Sequence, residues 1–261
     1  RMRKWAAYLL CFLSLALLGI SGHFLADYAK QEEKADILQE QLKEIYENQK
    51  EETKEKPRQD EEEQNLIHEG LLALHEKNKD CIGWRTIPDT LIDYPVMYHP
   101  EEVNYYLKRD FFREYSANGS LFLSENCSLK DCDNLIIYGH HMNSGKMFAA
   151  LEGYRERKFF KEHPFIFFNT LQGEEKYQVF AVFSTPVYTG SDFAYYTFTK
   201  AENRKSYETF IEAVKERSFY DTGITADYGE KLLTLSTCEY SQENGRLVVV
   251  AKKIAEKEIT K

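Results

Sequence analysis

The chain has 261 residues, 43% of them hydrophobic, and a formal net charge of -9. That length can bury one sizeable core with residues to spare for an anchor or stalk. The acidic balance excludes the clustered Lys and Arg that a phosphate backbone needs, so no nucleic acid is expected as a partner. Five cysteines, Cys11, Cys81, Cys127, Cys132 and Cys238, lack the paired CxxC spacing of a zinc site, so no metal centre is expected, nor a disulfide framework.

Arg1, Arg3 and Lys4 precede Trp5 to Ala26, a stretch with no charged residue unless His23 is protonated. Residues 5–26 are long enough to cross a bilayer. Positive charge ahead of the segment predicts that residues 1–4 form a cytoplasmic tail and that the bulk of the chain lies outside the cell. Small residues at Gly19, Ser21 and Gly22 also suit a signal peptidase, but the apolar run exceeds a usual signal core. The expectation is therefore a single-pass signal-anchor in the cell membrane.

Ala35, Leu38, Leu42 and Ile45 next place an apolar stripe on one helix face. Residues 47–64 carry dense mixed charge and almost no apolar side chain, too little to offset the entropy of ordering. Residues 27–64 are thus expected to form a helical and charged extracellular stalk. The folded domain is expected over 65–261.

Within it, Leu66, Ile67, Leu71 and Leu74 predict a short amphipathic helix, after which Gly83, Pro88 and Pro95 punctuate extended segments. Strand patterns follow at "IDYPVMY", "GSLFLS", "NLIIYGH", "FIFFNT", "KYQVFAVFSTPVY", "KLLTLSTC" and "RLVVVAKK". Seven or eight short strands predict a mostly β fold with added helices, closed as a barrel so that no sheet edge is left exposed. Two helical insertions interrupt the pattern, "KMFAALEGYRERKFFKEH" and "ENRKSYETFIEAVKERS". In the second, Tyr207, Phe210, Ile211 and Val214 fall at helical spacing and are expected to pack on the barrel. Cys127 and Cys132 share a polar loop whose spacing allows a local bridge or two inert thiols, while Cys81 reads as a small buried side chain.

The chemistry gathers at the strand ends. Asn244-Gly245 is a tight-turn signal, so the stretches on either side of it read as antiparallel neighbours, with Cys238 and Arg246 facing each other at one rim. Strand alternation puts Thr234, Ser236 and Cys238 on one face and Leu233, Leu235 and Thr237 on the other, so the thiol emerges from a polar stripe. A thiol is a useful nucleophile only as thiolate, which a nearby guanidinium favours. Arg246 also has the fork of donors that an oxyanion accepts. "NLIIYGHHMNSGKMF" carries His140 and His141 into a polar loop at the end of a buried strand, where a general acid/base can reach substrate; capping the loop is the alternative role.

"IYGHH", then "TLSTC" about 100 residues on, then an Arg eight positions beyond the Cys, resembles the sortase signature, specifically that of class B. The resemblance covers roughly residues 65–254, including "GWRTIPDTLIDYPVM" and the helix inserted before the Cys strand. It implies an eight-stranded β barrel with His140 as general acid/base, Cys238 as nucleophile and Arg246 as the oxyanion or substrate-orienting residue. His140 follows the Gly directly, as in the family, which leaves His141 a supporting place. Ser236 and Thr237 then line the pocket, with Glu239 near the oxyanion. The activity implied is cleavage of a sorting signal of the Asn/Ser-Pro-x-Thr type after Thr, through a thioester, and transfer to an amine of a peptidoglycan precursor or a pilin. The implied partners are surface proteins bearing that signal, and no cofactor is expected. Two other readings compete: a secreted cysteine peptidase or amidase that hydrolyses, and a non-catalytic membrane-tethered scaffold. Papain-like enzymes place the Cys before the His, opposite to the order here, and a scaffold has no need of the Cys, His and Arg together.

Overall fold

The run "RLVVVAKK" is apolar at consecutive positions, the pattern of a strand covered on both faces. A computed structural model of the chain describes residues 2–48, 61–187, 193–239 and 245–254. In it that run is β8 (Gly245–Lys253), one of eight strands with β1 (Cys81–Thr86), β2 (Asp93–Met97), β3 (Leu121–Leu123), β4 (Asn134–Gly139), β5 (Phe165–Thr170), β6 (Gly173–Pro186) and β7 (Leu232–Glu239). They form a closed barrel in the order β1-β2-β3-β4-β7-β8-β6-β5, with β5 paired back to β1. The β2–β3 and β4–β7 pairs are parallel and the other neighbours antiparallel.

Alternation along β7 and β8 divides their side chains between two apolar layers. Leu233, Leu235, Leu247, Val249 and Ala251 join Val96, Leu121, Ile137, Ile166 and Phe168 in one cluster. Leu232, Val248 and Val250 join a second cluster with Tyr195, Tyr207, Phe210, Ile211 and Val214. The last four lie on α4 (Arg204–Arg217), which follows α1 (Met2–Asn48), α2 (Glu61–Lys77) and α3 (Arg157–Glu162) in the chain. A capping box starts α4: the Asn203 side chain accepts from the Ser206 N–H at 3.1 Å, and the Ser206 hydroxyl accepts from the Asn203 N–H at 3.1 Å. Such a cap contributes about 1 kcal/mol. The second insertion thus packs on the barrel as its apolar spacing predicts. The first is a 3-10 segment, Ala149–Arg155, followed by the short α3, rather than one continuous helix.

Seven of the eight strands coincide with the apolar runs of the sequence. β1, "CIGWRT", escapes that reading because Gly83 and Arg85 interrupt its apolar pattern. Its alternate positions serve different neighbours: Trp84 stacks on Tyr46 with ring centroids 4.4 Å apart, and the buried guanidinium of Arg85 lies over the Phe168 ring at 4.1 Å.

The chain forms two compact units, Arg1–Gln41 and Leu42–Lys261. In the first, Phe12, Leu15, Leu18, Phe24 and Leu25 are exposed. The helix spanning Cys11–Glu47 is long and apolar enough to cross a membrane. In the second, Leu42 and Tyr46 of α1 are buried, and the Tyr46 hydroxyl accepts from Asn169 Nδ2 at 2.6 Å. Most of the charged run at 47–64 lies outside the described residues, and α2, with Leu71 and Leu74 fully buried, begins at Glu61.

Candidate active site

The parallel β4–β7 ladder pairs residue for residue from Asn134 with Leu232 to Gly139 with Thr237. His140 and Cys238 each come one step beyond that last pair. Parallel strands run in the same direction, so the two backbones reach the same rim about one strand spacing, roughly 5 Å, apart. Across the antiparallel β7–β8 ladder, Cys238 pairs with Arg246. Residues remote in sequence therefore stand on three consecutive barrel strands at one end. In the same ladder Glu239 pairs with Gly245.

The far end of the β4–β7 pair is pinned by charge and hydrogen bonds. Lys231 Nζ donates to Asp133 Oδ1 at 2.8 Å and to the Cys132 carbonyl at 3.0 Å, and the Ala201 N–H donates to Asp133 Oδ2 at 3.0 Å. Burial alone would raise the Asp133 pKa, but Lys231 and the Ala201 amide outweigh it and hold the carboxyl below its ordinary range.

At the rim, His140 Nε2 lies 2.7 Å from the Leu107 carbonyl oxygen, and the His140 carbonyl accepts from the Phe148 N–H at 2.9 Å. His141 forms a β-bridge with Met147 across the turn between them. Arg246 is half-buried, and its Nη1 donates to the Gly245 carbonyl at 2.9 Å.

The polar stripe of β7 is dry. Thr234 and Ser236 are 0% and 1% exposed, because the segment carrying Tyr195 and α4 covers this face. Each hydroxyl is satisfied inside: Thr234 Oγ1 donates to Asn134 Oδ1 at 2.8 Å, and the Ser236 and Tyr195 hydroxyls are bonded at 2.7 Å. Thr237 differs. It is 2% exposed, and its Oγ1 is buried with no hydrogen-bond partner among the described residues.

Cys127 and Cys132 are both buried free thiols, so the bridge that their spacing allows is not formed. Cys132 Sγ instead accepts from the Ser128 N–H at 3.1 Å. Burial pushes the Cys81 and Cys127 thiols up to about 12, which makes them poor nucleophiles. The contacts of Leu107 with His140 and of Tyr195 with Ser236 were not legible in the sequence, since one is made by a backbone carbonyl and the other residue reads as an ordinary core aromatic.

A family model described as the sortase domain matches residues 86–254. The chain belongs to the sortase family. It is 34% identical to sortase B of Staphylococcus aureus (strain NCTC 8325 / PS 47) over 183 residues, 69% of this chain and 72% of that protein. To sortase B of Listeria monocytogenes serovar 1/2a it is 34% identical over 189 residues, 71% of this chain and 74% of that one. Among solved structures it is similar to a Staphylococcus aureus sortase B–substrate complex, with a TM-score of 0.74, 29% identity and coverage of 87% of this chain and 99% of that chain. A Clostridium perfringens sortase B matches with a TM-score of 0.64 at 29% identity, over 70% of this chain and 98% of that chain. This sortase is accordingly of the class B type, a cysteine transpeptidase on an eight-stranded barrel, and the hydrolase and scaffold readings are not favoured.

Proposed function

We propose that Cys238 is the nucleophile, His140 the general acid/base and Arg246 the donor to the oxyanion or substrate backbone. The observation that supports this is the ladder register, in which Cys238 pairs with Arg246 and His140 directly follows the Gly139–Thr237 pair. The Cys238 thiolate attacks the carbonyl of the Thr in a sorting signal of the Asn/Ser-Pro-x-Thr type. Charge on the tetrahedral oxygen is met by the guanidinium and a backbone N–H near Cys238 and Glu239. His140 protonates the leaving amine, and a thioester remains on Cys238. An amine of a peptidoglycan precursor or pilin then attacks it, with His140 accepting the proton. Thr237, whose buried hydroxyl has no hydrogen-bond partner among the described residues, offers it to bound peptide. Ser236 and His141 support the pocket from behind, Ser236 through Tyr195.

The apolar helix suits a single-pass anchor with the catalytic domain outside the cell and residues 27–64 as a stalk, an arrangement that holds enzyme, signal-bearing protein and acceptor on one surface. The reading is tested by incubating the protein with a sorting peptide, with and without an amine acceptor. Acceptor-dependent transfer is expected, abolished by Cys238→Ala and cut about 10² to 10⁴-fold by His140→Ala, with a much smaller loss for His141→Ala. Undiminished transfer by Cys238→Ala, or a larger loss from His141→Ala, would overturn the assignment.

A further inference from the structure

The Leu107 carbonyl that meets His140 sits in a 3-10 turn, Tyr105–Lys108, and this turn is held on both sides. Tyr106 is buried to 1% exposure; its hydroxyl donates to Asp80 Oδ2 at 2.7 Å and accepts from Asn78 Nδ2 at 3.0 Å. Its carbonyl accepts from the Ser120 N–H at 3.1 Å. Behind the Leu107 carbonyl lies Gly119, at φ +58°, so close that a Cβ there would stand 2.4 Å from the Leu107 oxygen. The oxygen is thus wedged between the Gly119 backbone and His140 Nε2. A carbonyl oxygen only accepts, so the nitrogen 2.7 Å from it must carry hydrogen. The neutral ring then has its lone pair on Nδ1.

We propose that Tyr106 and Gly119 are positioning residues which, through the Leu107 carbonyl, hold His140 with its hydrogen on Nε2, so that every proton exchanged in transpeptidation passes through Nδ1. This inference rests on the role proposed above for His140. In acylation the thiolate sulfur forms the C–S bond, the C–N bond breaks, and the imidazolium gives its Nδ1 proton to the departing amine. Thiolate, amide and imidazolium become thioester, amine and neutral imidazole, and Nε2–H stays on the Leu107 carbonyl throughout. Attack by the acceptor amine returns a proton to Nδ1. The clamp therefore keeps the ring from rotating between the two half-reactions, during which the same nitrogen must serve first as acid and then as base.

The test is two-bond ¹H–¹⁵N spectroscopy of the full chain in detergent micelles, labelled at its seven histidines, with the His140 signals identified by their loss in His140→Gln. The neutral His140 ring should show the Nε2–H pattern in the parent. Tyr106→Phe should mix the tautomers and lower kcat about tenfold with KM held, the scale of a small misplacement of a catalytic group. Gly119→Ala, which pushes directly on the Leu107 oxygen, should do the same. An Nδ1–H pattern in the parent overturns the proposal whether or not either variant folds. So does an unchanged tautomer and kcat in both variants. If His140→Gln still transfers peptide, the assignment of His140 itself falls; if it does not, and the parent ring carries its hydrogen on Nδ1, only the clamp falls.

Discussion

Arg246 pairs with Cys238 in the β7–β8 ladder, and the role proposed for it can be service to a thiolate or to a bound carbonyl. The two roles differ in what they require. Stabilising a thiolate needs only positive charge, whereas bonding an oxyanion or peptide carbonyl uses the planar fork of a guanidinium, which an ammonium cannot reproduce. On the forked role, Arg246→Lys is expected to lose about 10² to 10³ in kcat, nearly as much as Arg246→Ala, the range for one preorganised oxyanion donor. Steady-state rates with an amine acceptor decide it. Activity kept by Lys and lost by Ala would assign the residue to charge alone. At this scale the sequence was informative about titratable and nucleophilic side chains, because Cys, His and Arg announce their chemistry by type. It was silent on Leu107, which acts through a backbone atom common to every residue, and it misjudged the surroundings of Ser236, whose polar face is sealed by a segment some forty residues earlier in the chain.

β4 delivers His140, and it ends on Gly139 for a packing reason. A Cβ at Gly139 would stand 2.4 Å from Leu121 Cδ2 and 2.8 Å from Phe148 Cδ2. Gly139→Ala should therefore displace the strand end that leads to His140, the proposed general acid/base, by pushing on Leu121 and Phe148. A loss of about 10-fold to 100-fold in kcat is expected, since small displacements of catalytic groups cost that much. Circular dichroism should retain the barrel signal. A rate equal to the parent's would show that the strand end tolerates the shift and that its register does not govern the site. Among the elements, those with uninterrupted apolar or alternating runs were legible in the sequence, β4 through β8 above all. β1 was not, because its buried guanidinium and its glycine are stabilised by partners, Phe168 among them, that only the closed barrel brings near. The split of 146–163 into a 3-10 segment and a short helix was likewise set by packing: Tyr154, within it, is buried and donates to the His163 carbonyl at 2.7 Å.

For the molecule as a whole, the buried titratable groups set how stability varies with pH. The Cys81 and Cys127 thiols rise from 9.0 to about 12 and the Tyr220 phenol from 10.0 to about 12, each chiefly through burial. A raised folded pKa gives stability that is complete below the unfolded value and lost as pH climbs through the folded one. Arg85 is shifted in the opposite direction, since burial lowers it from 12.5 to about 9. The thiols and phenols outnumber it, with Tyr46, Tyr106, Tyr154 and Tyr207 also raised. Thermal unfolding followed by circular dichroism should hence show a Tm that is level up to about pH 9 and falls beyond it. On the acid side, the lowered Asp133 contributes stability present above its unfolded value of 3.8 and lost as pH falls below it. A Tm unchanged between pH 9 and 11.5 would contradict the alkaline half. The barrel itself was expected from the sequence, since many short strands leave few ways to avoid open edges. The dry outer face beneath α4 was not, because which side of a strand a remote insertion covers is a matter of tertiary packing.

A thioester on Cys238 is proposed to link cleavage to transfer, and intact-protein mass spectrometry can detect it. The full chain in detergent is mixed with a library of candidate sorting peptides, quenched in acid before acceptor is added, and the modified cysteine is located by peptide mapping. The expected result is an added mass equal to the peptide portion ending in Thr, carried by Cys238 and discharged on addition of an amine acceptor, with Cys11, Cys81, Cys127 and Cys132 unmodified. Peptide cleaved at the same rate with no acyl mass on Cys238, or an acyl mass mapped to another residue, would contradict it.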